Sequence, residues 1–382
     1  MNTSNDIQLY KELMDLVENN EAFYYKDYEV EGILYRVFNY RLASYTDFQK
    51  PSALEARGIT FLINPEPLVV SRPYKKFFNL DENPFTMGLD LTTCDSVSVK
   101  LDGSLITTYY NPYTKKFGVK SKQDFFSDQS TMAWSYLTRP ENLIFTNYIY
   151  EIASNNYSVI MELISPANRI VIEYPKTELK IHGIRHNSTG ELIYKETDIF
   201  EKFGYNTDIL MSMVYRSSSI SEDFIKEIPC MTGTEGFVFT KGNDLIKLKT
   251  SWYKSLHYLK DSVNSERRLF ESIIDETVDD VKTMFTTDKF MMDAILEMES
   301  RVIPKYNHII SSVETFYLEN KDLTRKEYAL KAQSDQSVCA WFSLAMEKYI
   351  GRPVNYKEYC KKYRKELFEI KDDIDQTNPD RD

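Results

Sequence analysis

The sequence changes character close to Ser255, and this change limits the possible folds more than any other feature. From Tyr35 to Trp252, short runs rich in valine, isoleucine, tyrosine, phenylalanine and threonine alternate with glycine, proline, asparagine and aspartate, a pattern typical of strands joined by turns. Beyond Ser255 apolar residues recur every three or four positions, which predicts helices. Regularly alternating strand and helix units do not occur. We therefore predict an α+β protein, with an antiparallel-sheet domain at residues 1–254 and an all-helical domain at residues 255–382.

The patterns also predict individual elements. A short helix begins near Ile7 and ends near Asn19. The predicted strands are Ser96–Lys100, Leu105–Tyr110, Phe117–Lys122, Ser158–Ile164, Arg169–Tyr174, Leu179–Arg185, Gly236–Thr240 and Leu245–Thr250. The first two flank an Asp102-Gly103 turn and are expected to form a hairpin, as are the last two. The predicted C-terminal helices are Arg268–Phe285, Lys289–Ile303, Tyr306–Leu318, Arg325–Gln333, Val338–Ile350 and Tyr356–Ile370, with a break at Pro304.

Charge and composition exclude some classes of protein. The chain has 382 residues and a formal net charge of −11, so its overall field repels nucleic acid. This excludes a protein that coats DNA without regard to sequence, although local lysine clusters can still bind phosphate. No apolar run approaches the roughly 20 residues that span a bilayer, and the first residues do not form a secretory signal. The scattered cysteines predict reduced thiols and no zinc site. We therefore expect a cytoplasmic protein that does not bind membranes.

The segment most informative about chemistry is Lys100-Leu101-Asp102-Gly103. A lysine at a strand end beside an Asp-Gly turn is usually just solvated, and this segment alone favours that interpretation. The alternative is that Lys100 is a nucleophile, which requires desolvation or neighbouring cations to lower the pKa of its ammonium group. The same cations would bind a triphosphate. The candidates are Lys120, Lys122, Lys247 and Lys249.

Other motifs follow this segment in a particular order. Lys100-x-Asp102-Gly103 resembles the first motif of the covalent nucleotidyltransferase superfamily, which includes ATP-dependent ligases and mRNA capping enzymes. Four further segments resemble the later motifs of that superfamily and follow in the same order. They are Lys120-Ser121-Lys122, Glu162 within Ile160–Leu163, Glu235-Gly236-Phe237-Val238 and Lys247-Leu248-Lys249. The last two lysines are two residues apart and therefore lie on one face of a strand.

Longer strings, spread over most of the chain, resemble the phage RNA ligase 1 family. They are Tyr35–Tyr40, Glu55–Ile59, Ser71–Pro73, Lys76–Leu80, Glu82–Phe85, Pro166–Val171 and Lys249–Tyr253, continued in the helical part by Leu269-Phe270, Ile273–Asp275 and Asp279-Asp280. The chain departs from the family around Glu162, where the family often carries aromatic residues. These strings are more specific than the lysine motif.

This resemblance implies an ATP-dependent RNA ligase with a nucleotidyltransferase domain and a helical C-terminal domain that favours tRNA. Lys100 is expected to attack the α-phosphorus of ATP and form a lysyl-adenylate. The AMP then passes to the 5′-phosphate of an RNA end, and a 3′-hydroxyl displaces it. The implied biological task is to reseal a tRNA that has been cut in its anticodon loop, in the cytosol of a phage-infected cell.

The resemblance also implies roles for other residues. Lys247 and Lys249 are expected to contact the α-phosphate, and Glu162 to accept from the ribose hydroxyls. The implied ATP-binding residues are Tyr40, Arg57, Lys76, Phe78, Asp102, Gly103, Lys122, Glu162, Glu235, Lys247 and Lys249. Mg²⁺ is the expected cofactor, because triphosphate chemistry needs its charge neutralised.

Three further residues keep two interpretations each, and for His182 the alternative to a structural role is a catalytic one. Asp279 is the implied metal ligand, and the alternative is that it belongs to a solvated acidic helix face. Tyr253 is implied to contact RNA, but an aromatic residue at a domain junction more often packs in a core. His182 lies on a predicted strand and is interpreted as a structural histidine with a satisfied ring.

Two other functions compete with this interpretation. A DNA ligase or a GTP-dependent capping enzyme is disfavoured because helices, and not a Gly/Val-rich OB-fold, follow Lys249. A non-catalytic RNA-binding or phage tail-fibre assembly protein is disfavoured because the lysine and its carboxylates are intact.

Overall fold

The computed structural model describes residues 3–204, 213–285 and 289–370, so residues 371–382 of the predicted helical domain lie outside it. The chain divides into two compact units, and the division between them falls after Lys254. Across the described ranges, no helix is both long enough and apolar enough to cross a membrane. Each unit is described by itself below.

The first unit begins with a helix packed on a four-stranded sheet. Helix α1 (Thr3–Asn19) places Leu9, Leu13 and Leu16 in a core with aromatic residues of the sheet. The first sheet has the strand order β1-β2-β3-β4 and consists of β1 (Phe23–Val30), β2 (Ile33–Tyr40), β3 (Ile59–Leu62) and β4 (Leu68–Ser71). Each pair of neighbouring strands in it is antiparallel.

The other two sheets have five strands each. The second sheet, in the order β11-β10-β9-β7-β8, consists of β7 (Ser104–Asn111), β8 (Lys116–Ser121), β9 (Tyr157–Ile164), β10 (Glu178–His186) and β11 (Leu192–Ile193). The third, in the order β12-β6-β13-β14-β5, consists of β5 (Phe78–Asn79), β6 (Ser96–Lys100), β12 (Arg216–Ser217), β13 (Gly236–Lys241) and β14 (Asp244–Lys249). Among these described strands only β5 and β14 pair in parallel. The structure therefore confirms the predicted α+β fold with antiparallel sheets.

The second and third sheets share a small core between them. Ile160 of β9 packs with Val238 of β13 and Leu245 of β14, next to Tyr74. The opposite face of the second sheet is covered by α2 (Asp128–Leu137) and α3 (Leu143–Ser154), which bury Met161 of β9. Two shorter helices, α4 (Glu196–Phe203) and α5 (Glu222–Glu227), complete the first unit as described. One face of each sheet is therefore turned towards the other sheet.

The segment after Lys100 crosses from one sheet to the other. β6 pairs with β12 and β13, whereas β7 pairs with β8 and β9. The prediction that these two strands form a hairpin around Asp102-Gly103 is therefore wrong. An Asp-Gly pair favours a tight turn. Here the turn leads from the third sheet to the second, because β6 pairs with β13 and β7 pairs with β8 and β9. The second predicted hairpin, β13 with β14, is confirmed.

Helices are the regular elements of the second unit, and none of its described residues forms a strand. Helix α6 (Ser251–Asn264) spans the division between the units. The remaining helices are α7 (Glu266–Ile274), α8 (Val278–Met284), α9 (Lys289–Asn320), α10 (Arg325–Ser334), α11 (Phe342–Tyr349), α12 (Tyr356–Lys362) and α13 (Arg364–Phe368). Their core contains Phe270, Ile295, Val302, Ile309 and Tyr328.

Predicted helix boundaries in this unit are wrong at three places. The predicted helix Tyr356–Ile370 is two helices, α12 and α13, separated at Tyr363. Pro304 lies inside the 32-residue helix α9 and does not end it. A proline costs one backbone hydrogen bond, but the buried Val302 and Ile309 on either side hold both halves in the same core. The predicted helix Arg268–Phe285 is instead two helices, because Glu276 has a positive φ of 64° that a helix cannot contain.

Candidate active site

The candidate nucleophile lies in a row of residues across the third sheet. Lys100 on β6 pairs with Gly236 on β13, which pairs with Lys249 on β14. Directly opposed residues of antiparallel strands carry their side chains on the same face, and Lys247 shares it because it lies two residues from Lys249. A Cβ at Gly236 would lie 2.2 Å from the carbonyl oxygen of Leu248. The middle position therefore has to be a glycine, with a lysine on each side.

The carboxylate of Glu235 joins the two lysines of this row. Its Oε2 lies 2.9 Å from Nζ of Lys100, and its Oε1 lies 3.1 Å from Nζ of Lys249. The Glu235 side chain is only 3% exposed. Hydrogen bonds between ionised partners are about twice as strong as neutral ones. Glu235 therefore holds both ammonium groups in place from a position shielded from water.

Three nearby carboxylates, those of Glu235, Glu162 and Asp102, determine the charge of Lys100. Burial alone would lower the pKa of its ammonium group, but Glu235, Glu162 and Asp102 outweigh burial, and the pKa of Lys100 lies above its usual value. The expectation that neighbouring lysines lower this pKa is wrong for the described structure. One of those lysines, Lys249, is itself paired with Glu235. Lys100 is therefore an ammonium ion in this structure.

Asp102 fastens the turn after Lys100 to the rest of the site. Its Oδ2 accepts from the backbone N–H groups of Val171 at 2.7 Å and Ile172 at 2.6 Å. Its Oδ1 accepts from the hydroxyl of Tyr253 at 2.6 Å. Three donors on one carboxylate leave Asp102 buried and fixed. Asp102 therefore acts on Lys100 through its charge and by holding the turn that carries it.

The segment Arg169–Tyr174 is irregular, and the prediction of a strand there is wrong. Two of its backbone N–H groups bind Asp102, as described above, where a strand would use them for pairing. The hydroxyl of Tyr174 accepts from the backbone N–H of Asp102 at 3.0 Å. A run of isoleucine and valine has the local pattern of a strand, but a carboxylate 69 residues away along the chain takes its hydrogen bonds.

Gly103 is required by the close approach of two backbones. A Cβ at Gly103 would lie 2.3 Å from the carbonyl oxygen of Leu163 and 3.0 Å from Cγ of Glu162. The turn therefore packs directly on the end of β9, beside the Glu162 side chain. The expectation that Gly103 leaves room for nucleotide stays a prediction, and this packing is a separate reason for glycine.

We expect Gly103→Ala to lower the free energy of unfolding of the first unit by about 1–3 kcal/mol, a typical cost of overpacking. The added methyl group meets a backbone carbonyl of β9, which cannot move without disturbing the pairing of Leu163 with Ser104. Urea unfolding followed by circular dichroism measures the change. An unchanged midpoint would contradict the close approach.

Glu162 is itself held by a histidine on the neighbouring strand. Nε2 of His182 lies 3.0 Å from Oε2 of Glu162, and the two side chains are 12% and 13% exposed. Nε2 of His182 thus has a hydrogen-bond partner, as the sequence suggested. Its partner, however, is a predicted site carboxylate, which places His182 within the site.

Arg57 and Lys247 lie on the ring of Phe77. The guanidinium carbon of Arg57 is 5.5 Å from the ring centre, and Nζ of Lys247 is 5.8 Å from it. Both distances permit cation–π attraction. The sequence singled out the next residue, Phe78, and missed Phe77. Neighbouring residues of an extended segment point in opposite directions, and the pattern of two adjacent phenylalanines does not say which one faces the lysines.

Three other predicted ATP-binding residues lie together in an aromatic cluster. Nζ of Lys76 is 5.1 Å from the ring centre of Tyr40, 5.5 Å from that of Phe78 and 6.0 Å from that of Phe48. Phe78 and Phe48 belong to the core beneath the first sheet. The structure thus groups Tyr40, Lys76 and Phe78, and their contact with nucleotide stays a prediction.

Lys120 and Lys122 have different surroundings, although they are only two residues apart. Nζ of Lys120 donates to the carbonyl oxygens of Gly58, Ser121 and Lys122 at 2.8–3.2 Å, and the residue is fully buried. Its ammonium group is therefore committed to the backbone, and Lys120 is not a cation for a phosphate. Lys122 is buried against Gly58, where an added Cβ would lie 2.2 Å from the Lys122 carbonyl oxygen. Its role in binding phosphate stays a prediction.

A buried ionic cluster supports the segment that carries Arg57. Glu55 binds Arg185 at 2.6 Å and Arg72 at 3.0 Å. Burial alone would raise the pKa of Glu55, but Arg185 and Arg72 outweigh it and lower the pKa from 4.5 to about 2. Arg185 also donates to the carbonyl oxygen of Pro73 at 2.8 Å. This cluster ties three distant segments together beside the site. No local pattern predicts it, because its members are far apart along the chain.

Tyr253 and Asp279 are the predicted contacts to RNA and metal. Tyr253 is 3% exposed, its hydroxyl is bound to Asp102, and Nζ of Lys249 lies 5.2 Å from its ring centre. Burial raises the pKa of Tyr253, and the carboxylates of Glu235 and Asp102 raise it further, so this hydroxyl keeps its proton. Asp279 lies on α8 in the second unit, exposed and 3.3 Å from Lys282. Both functional roles stay predictions.

A carboxylate beside Lys100 fits the expected Mg²⁺. This ion usually keeps several waters and is bound through one or two carboxylates together with substrate phosphates. Glu235 supplies such a carboxylate, with Oε2 2.9 Å from Nζ of Lys100. No group of three or more histidine, cysteine or acidic side chains suited to a metal occurs in the part of the chain that the structure describes. The donor set therefore suits a metal held largely by substrate and water.

Comparisons with known proteins find relatives for both parts of the chain. Residues 55–253 match the model of a family described as RNA ligase, and residues 260–371 match the model of the C-terminal domain of T4 RNA ligase 1. A protein named "Putative RNA ligase" from Thermovibrio ammonificans is 27% identical over 78% of this chain and 78% of its own length. RNA ligase 1 of bacteriophage TS2126 is 21% identical over 75% of this chain and 72% of its own. An archaeal ATP-dependent RNA ligase structure is 12% identical, with a TM-score of 0.45 over 82% of this chain and 83% of its own.

Proposed function

Because the chain belongs to the T4 RNA ligase 1 family, we propose that it is an ATP-dependent RNA ligase that seals RNA ends through an adenylate carried on Lys100. Nζ of Lys100 bonds to the α-phosphorus of ATP, and pyrophosphate leaves. An oxygen of an RNA 5′-phosphate then attacks the same phosphorus, and the bond to Lys100 breaks. Finally a 3′-hydroxyl attacks the 5′-phosphate, AMP leaves and a phosphodiester forms. The observation that carries the proposal is the row of Lys100 and Lys249 on Glu235.

The other residues of the site position charge for these displacements. In-line displacement at phosphorus depends on alignment and on neutralising charge more than on proton transfer. Lys249 and Lys247 lie on the same sheet face as Lys100 and would bind the α-phosphate. Arg57 lies near Lys247 on the Phe77 ring. Mg²⁺, when bound, neutralises triphosphate charge. Glu235 would hold it or its waters, and the family resemblance adds Asp279. Glu162 would accept from the ribose hydroxyls of ATP.

The RNA that we propose as substrate is a tRNA cut in its anticodon loop, repaired in the cytosol of an infected cell. This part of the proposal is supported by the match of the helical unit to the C-terminal domain of T4 RNA ligase 1 and by the resemblance from which tRNA preference follows. Tyr253 would affect RNA indirectly, through the turn that it holds.

Transfer of label from ATP to the protein tests the proposal. We expect incubation with Mg²⁺ and ATP labelled at the α-phosphate to yield a covalent adenylate that added pyrophosphate reverses. GTP should give no label, which separates this chain from a capping enzyme. The labelled protein should then seal a nicked tRNA better than a nicked DNA duplex of equal length. No covalent label with either Mg²⁺ or Mn²⁺ would refute the proposal.

The raised pKa of Lys100 predicts how the first step depends on pH. The free protein holds Lys100 as ammonium, and only the amine attacks phosphorus, so the reactive fraction rises tenfold per pH unit below the pKa. Because kcat/KM reports the free enzyme, we expect kcat/KM for adenylate formation to rise about tenfold per unit from pH 7.5 to 9.5. Glu235→Gln removes the main carboxylate and should flatten this rise. A wild-type plateau below pH 9 would contradict the assigned charge.

A further inference from the structure

His182 occupies a β-bulge at the edge of the site. On β10, residues up to Ile181 pair in step with β9, and pairing resumes at Gly183 one position out of step, so His182 is the extra residue. A bulge takes the extra residue out of the ladder and re-aims its side chain, and bulges are frequent next to active sites. The direction of this ring is therefore set by the bulge.

Arg216 of the third sheet supports the bulge. A bulged residue loses its ladder partner, and a buried carbonyl needs another donor. Arg216 Nη2 donates to the carbonyl oxygen of His182 at 2.7 Å, and its Nη1 donates to the hydroxyl of Thr240 on β13 at 3.1 Å. The irregularity in the second sheet is therefore stabilised by a side chain from the sheet that faces it.

The ring of His182 binds one oxygen of Glu162 and so orients the carboxylate. An ionised carboxylate only accepts hydrogen bonds, so Nε2 of His182 donates to Oε2 at 3.0 Å. Both side chains are about seven-eighths buried. Cγ of Glu162 lies against Gly103 of the lysine turn, where a Cβ would be 3.0 Å away. Glu162 is therefore confined both by the turn and by the histidine.

We propose that His182 determines how the site reads the sugar of the nucleotide: by holding Oε2 of Glu162, it leaves Oε1 for a single ribose hydroxyl. This inference rests on the proposed function, in which Glu162 accepts from the ribose of ATP. A carboxylate that is free to turn can aim both oxygens at the vicinal hydroxyls of a ribose. Glu162 is oriented by His182 through Oε2, so it aims only Oε1 at the sugar. The protein therefore distinguishes loss of the 2′-hydroxyl from loss of the 3′-hydroxyl.

Nucleotides that lack one hydroxyl test this inference. Adenylate formation is measured with ATP, 2′-deoxy-ATP and 3′-deoxy-ATP in the full chain. In the wild type we expect kcat/KM to fall at least about tenfold for one analogue, the scale of a lost hydrogen bond to a charged group, and less than about threefold for the other. His182→Leu releases Oε2, and the two analogues should then differ from each other by less than about threefold.

Two further variants separate this role from a structural one. In His182→Gln the amide N–H can replace Nε2 as donor. The two analogues should then differ in kcat/KM as they do in the wild type, and we call the ratio of these two values the gap. Lys180→Leu is the control. Lys180 lies opposite Glu162 in the strand register but forms an ion pair with Glu178, so this variant should keep the wild-type difference in kcat/KM between the analogues. The gap is a ratio within one variant, so a smaller fraction of folded protein does not change it.

The inference is overturned if the wild type loses equal activity with the two analogues, or if the difference between them is unchanged in His182→Leu. The proposed function still stands in that case, provided that ATP itself forms the adenylate. Absence of adenylate formation with ATP itself refutes the proposed function, and the inference falls with it. The two failures are therefore distinguished by the reaction with ATP alone.

Discussion

Replacing Lys100 with arginine should abolish the protein-bound adenylate and leave the fold intact. Arginine keeps a positive charge opposite Glu235, so the ion pair that anchors the row is retained. A guanidinium group does not lose its proton in proteins and offers no lone pair to phosphorus. We expect labelling by ATP to fall by a factor on the order of 10⁴ or more, the scale of losing a nucleophile.

A substrate that already carries AMP provides the control for this variant. An RNA with AMP joined to its 5′-phosphate bypasses both steps that involve Lys100, and sealing then requires only the attack by the 3′-hydroxyl. We expect Lys100→Arg to seal such an RNA within about tenfold of the wild-type rate. Loss of both reactions would show that the variant has lost its fold or that the assigned role is wrong, and circular dichroism separates the two. Retained labelling would place the nucleophile elsewhere.

Glu55→Gln should destabilise the first unit by about 3–5 kcal/mol, the usual cost of removing one partner from a buried ion pair. The change leaves Arg72 and Arg185, both nearly inaccessible to water, without their carboxylate. A urea titration of wild type and variant at pH 7 measures the difference. Glu222→Gln serves as the matched control, because Glu222 pairs with Lys226 on the surface and should cost less than about 0.5 kcal/mol.

The same carboxylate predicts how wild-type stability depends on pH. The pKa of Glu55 is lowered from 4.5 to about 2, so its contribution is fully present above pH 4.5 and is lost as the pH falls towards 2. A shift of this size corresponds to about 3 kcal/mol. The stability difference between wild type and Glu55→Gln should therefore shrink as the pH is lowered from 5 to 2. A constant difference over this range would contradict the lowered pKa.

Local patterns were sufficient wherever the partners lie on regular strands. Two lysines spaced by one residue on β14 had to share a face, and the strand pairing then placed Lys100 in the same row. The change from strand to helix patterns near Ser255 likewise reflects residues close together along the chain. Such features follow from the geometry of a single strand or helix, so they can be predicted from a single sequence.

Other parts of the site depend on partners that no local pattern reveals. The Asp102-Gly103 turn has the signature of a hairpin, but its aspartate binds backbone N–H groups 69 and 70 residues away and its flanking strands enter different sheets. The ring of His182 reaches Glu162 only because of a bulge. Pro304 stays within a helix because the core on both sides outweighs one lost hydrogen bond. In each case tertiary contacts override the local preference.

The ion pair of Lys100 with Glu235 also affects the chemical safety of the resting enzyme. A free amine in a cleft would react with aldehydes, activated acyl groups and other electrophiles that cells contain, and each such reaction would destroy one enzyme molecule. An ammonium group has no lone pair to offer them. In the proposed reaction, the carboxylate that positions Lys100 therefore also protects it from unwanted modification until a nucleotide binds.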